Sequence, residues 1–178
     1  MTTIILDKKT LRKNALNKRM SNPFVKFSSD IIVKKITSSL IFKNAKHIAL
    51  YLPIKNEIDL TKLLENKDKN FYLPRCNDLE LEFVKHQNKN DLVQNKWGIL
   101  EPTGNKINPE ILDVIYIPAL VANENNYRLG YGKGFYDRFF SQNKIKAKKI
   151  IVISKEFILN DFVQDEFDVK CDAILTDW

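Results

Sequence analysis

The chain has 178 residues, 44% of them hydrophobic, which suits one globular domain with a sizeable core. No run approaches the roughly 20 apolar residues of a membrane helix, residues 1–9 lack the order of a secretory signal, and Cys76 and Cys171 stand in no CxxC or Cys/His spacing; a cytoplasmic protein with reduced thiols is expected, without membrane span, disulfide framework or zinc site. The formal charge of +7 is scattered and carried mostly by lysine, so the few guanidinium groups, Arg12, Arg19, Arg75, Arg128 and Arg138, are the cations that merit attention, because their planar fork matches phosphate and carboxylate.

Residues 7–20 read as a helix capped by Asp7, with Leu11, Ala15, Leu16 and Met20 on an apolar face. Lys8, Arg12 and Arg19 fall together on a second face, since positions four and seven apart recur along one helix side. A second amphipathic helix is predicted from Pro23, carrying Phe24, Phe27, Ile31, Ile36 and Leu40 inward and ending before His47. Short apolar runs at 47–52, 70–73, 113–117 and 149–153 read as buried strands. Residues 79–85 alternate as an exposed or antiparallel strand would, and 173–176 supply a last one. The expected fold is α/β: a single-domain three-layer α/β/α sandwich spanning residues 1–178, on a mostly parallel, Rossmann-like mixed sheet. Gly and Pro collect at 98–109, marking a loop, and no repeat or linker divides the chain. His47 and His86 have no partner at metal or triad spacing.

The segment that carries chemistry is Arg128-Leu129-Gly130-Tyr131-Gly132-Lys133-Gly134-Phe135-Tyr136-Asp137-Arg138. Three of the five glycines of the chain stand there at alternate positions, ahead of a predicted helix at 135–142. Residues without Cβ let backbone N–H groups approach a phosphate, and a helix N-terminus adds the positive end of its dipole. Lys133 and Arg128 can add full charges. The spacing is neither the Walker A nor the dinucleotide fingerprint.

This run resembles the RLGxGxGxYDR signature of the 5-formyltetrahydrofolate cyclo-ligases, also called methenyltetrahydrofolate synthetases. Further pieces follow in that family's order: KxxLR at Lys8 to Arg12, YLPIKNEIDL, YLPR at Tyr72 to Arg75, GILEP at Gly98 to Pro102, and DVIYIPALVAN before the glycines. The resemblance covers residues 7–176. It departs at Asn123 and Trp97, where relatives often have Phe, which bears on substrate affinity rather than reaction type.

The resemblance implies the following roles. Lys8, Arg12 and the loop Arg128, Leu129, Gly130, Tyr131, Gly132, Lys133, Gly134, Phe135 and Tyr136 hold ATP, with Lys133, Arg128 and Tyr136 closest to the chemistry. Glu57 meets the pterin end of the folate, with Leu52, Trp97 and Tyr131 to Phe135 (Gly132, Lys133 and Gly134 between them) bordering the same substrate. Asp137 and Asp168 bind Mg2+, Asp165 and Asp172 being alternatives to the second. Taken singly, Lys8 and Arg12 read as a solvated helix face, Glu57 as a surface turn acid and Trp97 as core; their joint order changes that.

The implied reaction joins ATP and 5-formyltetrahydrofolate, giving 5,10-methenyltetrahydrofolate, ADP and phosphate, on a monomer with no nucleic-acid or membrane partner. The rival is an RNA- or nucleotide-binding module in which Tyr131, Phe135 and Tyr136 stack on bases. A third reading keeps the ATP site and changes its acceptor.

Overall fold

The computed structural model describes residues 7–159, 162 and 164–178, so most of the N-terminal stretch weighed as a signal lies outside the described residues. Helix α1 (Lys8–Met20) starts where Asp7 accepts hydrogen bonds from the backbone N–H groups of Lys9 and Thr10, at 2.9 and 3.0 Å. Leu11 and Ala15 face the core as expected. Met20 does not: it is 57% exposed, and Arg19 is buried instead. The inward face advances by four residues, and tertiary partners satisfy the charge that reaches it.

Helix α2 (Val25–Ser38) begins two residues beyond the expected Pro23 and buries Ser28, Ser29, Ile32 and Ile36. Phe24, Phe27 and Leu40, expected inside, are 67, 56 and 74% exposed, and Ile31 is half-buried. The apolar spacing at 24, 27 and 31 misplaces the face because two serines occupy the core side. Ser29 is satisfied there, donating to the Val25 carbonyl at 2.7 Å and accepting from the Asp59 N–H at 2.9 Å. The helix breaks at extended Ser39, whose hydroxyl caps the short α3 (Leu40–Asn44).

Six strands form the main sheet: β1 (His47–Ala49), β2 (Asn70–Asn77), β3 (Glu80–Lys85), β6 (Val114–Pro118), β9 (Lys148–Val152) and β10 (Ala173–Leu175), in the order β10-β9-β6-β1-β2-β3. All neighbours pair in parallel except β2 with β3. Two small ribbons lie outside it, β4 (Leu92–Gln94) with β5 (Leu100–Pro102), and β7 (Val121–Ala122) with β8 (Arg128–Leu129). Strand β5 lies inside the segment expected to be loop, and β1 is shorter than its apolar run.

Alternation along the strands divides the core in two. Ile48, Val114, Tyr116, Ile150 and Val152 meet Ile32 and Ile36 of α2 on one face. Ala49, Ile115, Ile117 and Ile151 meet Leu11 and Ala15 of α1 and Phe139 of α4 (Phe135–Gln142) on the other. The result is the three-layer α/β/α sandwich. An edge-to-face contact of Phe83 with Phe139, centroids 5.2 Å apart, fixes α4 to β3 and is worth about 1 kcal/mol beyond burial.

Candidate active site

In a mostly parallel sheet, ligands collect beyond the carboxyl ends of the strands. The chain leaving β1 there forms the turn 54–57. The chain leaving β6 runs through Ala119 into the β7–β8 ribbon, the glycine loop 130–134 and α4. Asn123 builds the ribbon's turn: buried, it accepts hydrogen bonds through its side chain from the N–H groups of Asn125 and Tyr127, at 3.2 and 3.1 Å. Its part is therefore to shape the chain that delivers the loop.

Two glycines fix the loop's course. Gly132 has φ +96°, and a Cβ there would stand 3.4 Å from the Arg12 guanidinium carbon. Gly134 has φ +65° as the N-cap of α4, and its Cβ would come within 2.9 Å of Arg138 Nη1. Any L side chain would be strained at both positions.

One face of α1 reaches three parts of the site. Lys8, Arg12 and Arg19 share it because steps of four and seven residues turn the helix by nearly whole revolutions. Lys8 Nζ lies 2.6 Å from both Asp165 and Asp168 carboxylates. Burial works against its charge, but the hydrogen bonds to the two acids outweigh this and raise its pKa. Arg12 Nε donates to the Gly130 carbonyl at 2.9 Å. Arg19 Nη1 donates to the Ala119 carbonyl at 3.0 Å, while its Nη2 donates to the Tyr131 hydroxyl and lies 3.7 Å from Glu57 Oε1.

Glu57 is buried, not the surface acid it resembles in isolation. Burial raises its pKa; the Ile54 N–H, Arg19, the Tyr131 hydroxyl and Lys55 pull the other way without cancelling it. Its Oε2 accepts from the Ile54 N–H at 3.0 Å and its Oε1 from the Tyr131 hydroxyl at 3.3 Å. The turn carrying it has left-handed Lys55 and Asn56, φ 47° and 60°. Asn56 offsets that strain by donating to the Arg19 and Asn22 carbonyls at 2.8 and 3.0 Å, which docks the turn on the end of α1. Leu52 is half-buried against the α2 side of the core.

Arg128 lies beneath the loop, buried, with Nη2 3.1 Å from Asp137 Oδ1 and its guanidinium 5.3 Å from the Tyr136 ring. Its Nε is buried with no hydrogen-bond partner among the described residues. Burial raises the Tyr136 phenol's pKa well above the usual range. Leu129 is core. Phe135 lies against Arg138, 5.4 Å from centroid to guanidinium. Lys133 is exposed, its ammonium 4.6 Å from the centroid of the Trp97 ring, and Trp97, between β4 and β5, is 49% exposed rather than core.

The two carboxylates expected at magnesium stand on adjoining segments, because the N–H of Val169, next to Asp168, donates to Asp137 Oδ1 at 3.2 Å. Asp165 is linked to Asp168 as well, through its own N–H at 2.7 Å, whereas Asp172 accepts from the Lys149 N–H near the start of β9. No group of three His, Cys, Asp or Glu side chains able to cage a metal occurs among the described residues. Mg2+ needs none, since it keeps waters and takes one or two carboxylates beside substrate phosphates. Asp137 and Asp168 fit that limited demand.

A sequence model of the 5-formyltetrahydrofolate cyclo-ligase family matches residues 5–177. The chain belongs to the 5-formyltetrahydrofolate cyclo-ligase family. It is 33% identical over 175 residues to the 5-formyltetrahydrofolate cyclo-ligase of Mycoplasma pneumoniae, covering 97% of this chain and 99% of the relative. It is also 33% identical over 181 residues to the enzyme of the same name from Mycoplasma genitalium, covering 96% and 98%. The solved Aquifex aeolicus 5,10-methenyltetrahydrofolate synthetase superposes with a TM-score of 0.85 at 32% identity, covering 96% of this chain and 89% of that one. The Mycoplasma pneumoniae synthetase gives 0.80 at 29% identity, covering 97% and 100%.

For this cyclo-ligase family member, the glycine loop brings together Arg12, Lys133, Tyr131, Glu57 and Trp97. Lys8 and Asp168 form a second group joined to Asp137 through Val169. Arg19, Lys55 and Asn56 are the participants to which the sequence reading gave no role. Arg19 carried a detectable signal, as one of few arginines at helical spacing from Arg12; the tandem left-handed turn at 55 and 56 carried none.

Proposed function

We propose that the chain converts 5-formyltetrahydrofolate to 5,10-methenyltetrahydrofolate at the expense of ATP, with the glycine loop on the nucleotide phosphates and Glu57 on the pterin. The observation that carries this is the hydroxyl of Tyr131. It joins the phosphate-type loop, flanked by Arg12 and Lys133 and opening into the N-terminus of α4, to a buried carboxylate on the neighbouring turn.

The chemistry explains why both ends are needed. A formamide carbon is a poor electrophile and its oxygen a poor leaving group, so N10 of the folate cannot close the ring unaided. The formyl oxygen attacks the γ-phosphorus; the O–P bond forms as the bridge to ADP breaks. N10 then adds to the activated carbon and gives up its proton, and the C–O bond breaks to release phosphate, which takes that proton, and leave the methenyl cation. Phosphoryl transfer asks the protein for alignment and charge neutralisation. Backbone N–H groups of residues 130–134, Arg12 and Lys133 suit that task, and the Arg128 guanidinium, paired with Asp137, adds positive charge close by. Lys8 would meet the outer phosphates in exchange for its acids. Magnesium held by Asp137 and Asp168 would spread the phosphate charge. The Trp97 face and Leu52 offer apolar contact to the folate, while Glu57 accepts hydrogen bonds from pterin N–H groups.

The RNA-binding alternative draws less support. Tyr131, Phe135 and Tyr136 lie against Arg19, Arg138 and Arg128 respectively, not together on an open stacking surface. The test is direct: purified protein with ATP, Mg2+ and 5-formyltetrahydrofolate should form the strongly absorbing methenyl product, and omission of any one should stop it. Equal ATP turnover with other reduced folates would favour a different acceptor, and salt-sensitive RNA binding without folate-dependent turnover would favour the alternative.

A further inference from the structure

We propose that Arg19 is a positioning residue for this reaction, a buried clamp that holds the Glu57 turn in register with the glycine loop so that folate and nucleotide meet at a fixed distance. The inference rests on the proposed function and adds to it the group that couples its two halves. The geometry is specific. One guanidinium reaches the Ala119 carbonyl at the exit of β6, the Tyr131 hydroxyl on the loop and the Glu57 carboxylate on the turn. The Glu57 turn is far in sequence from the other two, and Arg19 itself comes from α1.

The side chain is 7% exposed, so its charge is not there for solubility. Its Nε has no hydrogen-bond partner among the described residues, and a cavity of about 10 Å³, the size of a single water, is lined by Arg19, Asn56, Glu57, Ala119 and Ser154. A purely structural role would be filled more cheaply by an apolar residue, since burying a cation is costly unless its partners are well placed. Lysine could not do the same work: one ammonium cannot span a carbonyl, a phenol and a carboxylate in three directions.

Tyr131 is the hinge of the clamp. Its hydroxyl accepts from Arg19 and donates to Glu57, so a displacement of the loop is passed to the Glu57 carboxylate. Glu57 is faced by Arg19 from α1, by Tyr131 from the loop, by Lys55 from its own turn, and by the phenols of Tyr51 and Tyr136. Arg19 and Lys55 are the cations among these, and Arg19 is the buried one.

The experiment compares wild type, Arg19→Gln and Arg19→Lys for the KM of each substrate, for thermal stability, and for the pH profile of kcat/KM for the folate. Arg19→Gln should raise the folate KM about tenfold or more while the ATP KM moves by less than about threefold. The acid limb of the folate profile should shift upward by about one pH unit, because Glu57 loses a nearby cation. Arg19→Lys should keep that limb near the wild-type position yet leave the folate KM raised. If Arg19→Gln does not fold, Tyr131→Phe combined with Arg19→Lys carries the test: the two effects on folate KM should be less than multiplicative. Equal rises in both KM values with an unmoved acid limb, or independent effects in the double variant, would overturn the clamp. No methenyl product from wild type would instead overturn the proposed function, and the clamp with it.

Discussion

The ammonium of Lys133 stands 4.6 Å from the centroid of the Trp97 ring, so the cation of the glycine loop is steadied by an aromatic side chain from the β4–β5 ribbon. An exposed cation–π contact contributes only about 0.5–1 kcal/mol, too little to anchor the fold but enough to bias where the lysine points.

Lys133→Ala should therefore leave the melting temperature within about 4 °C of wild type, while turnover falls by roughly a hundredfold and ATP affinity weakens. Trp97→Ala should raise the folate KM several-fold with a smaller effect on turnover. Steady-state kinetics beside thermal melts check both. Wild-type turnover in Lys133→Ala would remove that residue from the mechanism.

Asp137 and Asp168, the two carboxylates proposed for magnesium, differ in what they support. Asp137 holds Arg128, whose side chain is 4% exposed. Asp137→Ala leaves a buried guanidinium unpaired and should cost about 3 kcal/mol, lowering the melting temperature by about 6–12 °C without any ligand. Asp168→Ala removes one of two acids on Lys8, whose side chain is 19% exposed, and should cost about 1 kcal/mol. Differential scanning calorimetry of the two apo variants separates these roles; equal losses would refute the assignment.

Burial raises the Glu57 pKa above its ordinary value of 4.5. The folded state thus favours the proton, and the resulting stability is fully present below that ordinary value and lost as pH rises through the folded one. Glu57→Gln, which does not titrate, should gain stability relative to wild type as pH rises from about 4 to 8. Melts across that range test the sign. In kinetics the same variant should raise the folate KM with little change in ATP binding.

Both thiols are held up by burial, Cys76 and Cys171 each to about 11. Since the thiolate is the reactive form, neither should react appreciably with an aromatic disulfide reagent at pH 7.5 in the native protein, and both should react on unfolding. Fast modification of Cys171 in the native state would contradict its burial.

Strands β6 and β9 were legible because a strand covered on both faces must be a continuous apolar run, as Val114 to Pro118 is. Helix α4 was legible from the glycines before it, and its bounds match. The second helix was misread on its inward face because Ser28 and Ser29 lie in the core. Ser29 is acceptable there because the Asp59 N–H, far along the chain, joins the local Val25 carbonyl as its partner. Ribbons β4–β5 and β7–β8 are too short for a periodic signal. In the site, the glycine loop was conspicuous, since its residues must be unusual for local reasons. Helical spacing placed Arg19 beside Arg12, but its partners Ala119, Tyr131 and Glu57 are tertiary, and nothing local disclosed Asn56.

In the proposed reaction the formyl oxygen is transferred to the γ-phosphorus at the glycine loop. The most direct measurement uses 5-formyltetrahydrofolate carrying ¹⁸O in the formyl group, with mass spectrometry of the phosphate released in a single turnover. The label should appear as one ¹⁸O atom in inorganic phosphate for each methenyl product formed. Unlabelled phosphate, with the ¹⁸O recovered in water, would rule out attack of the formyl oxygen on phosphorus.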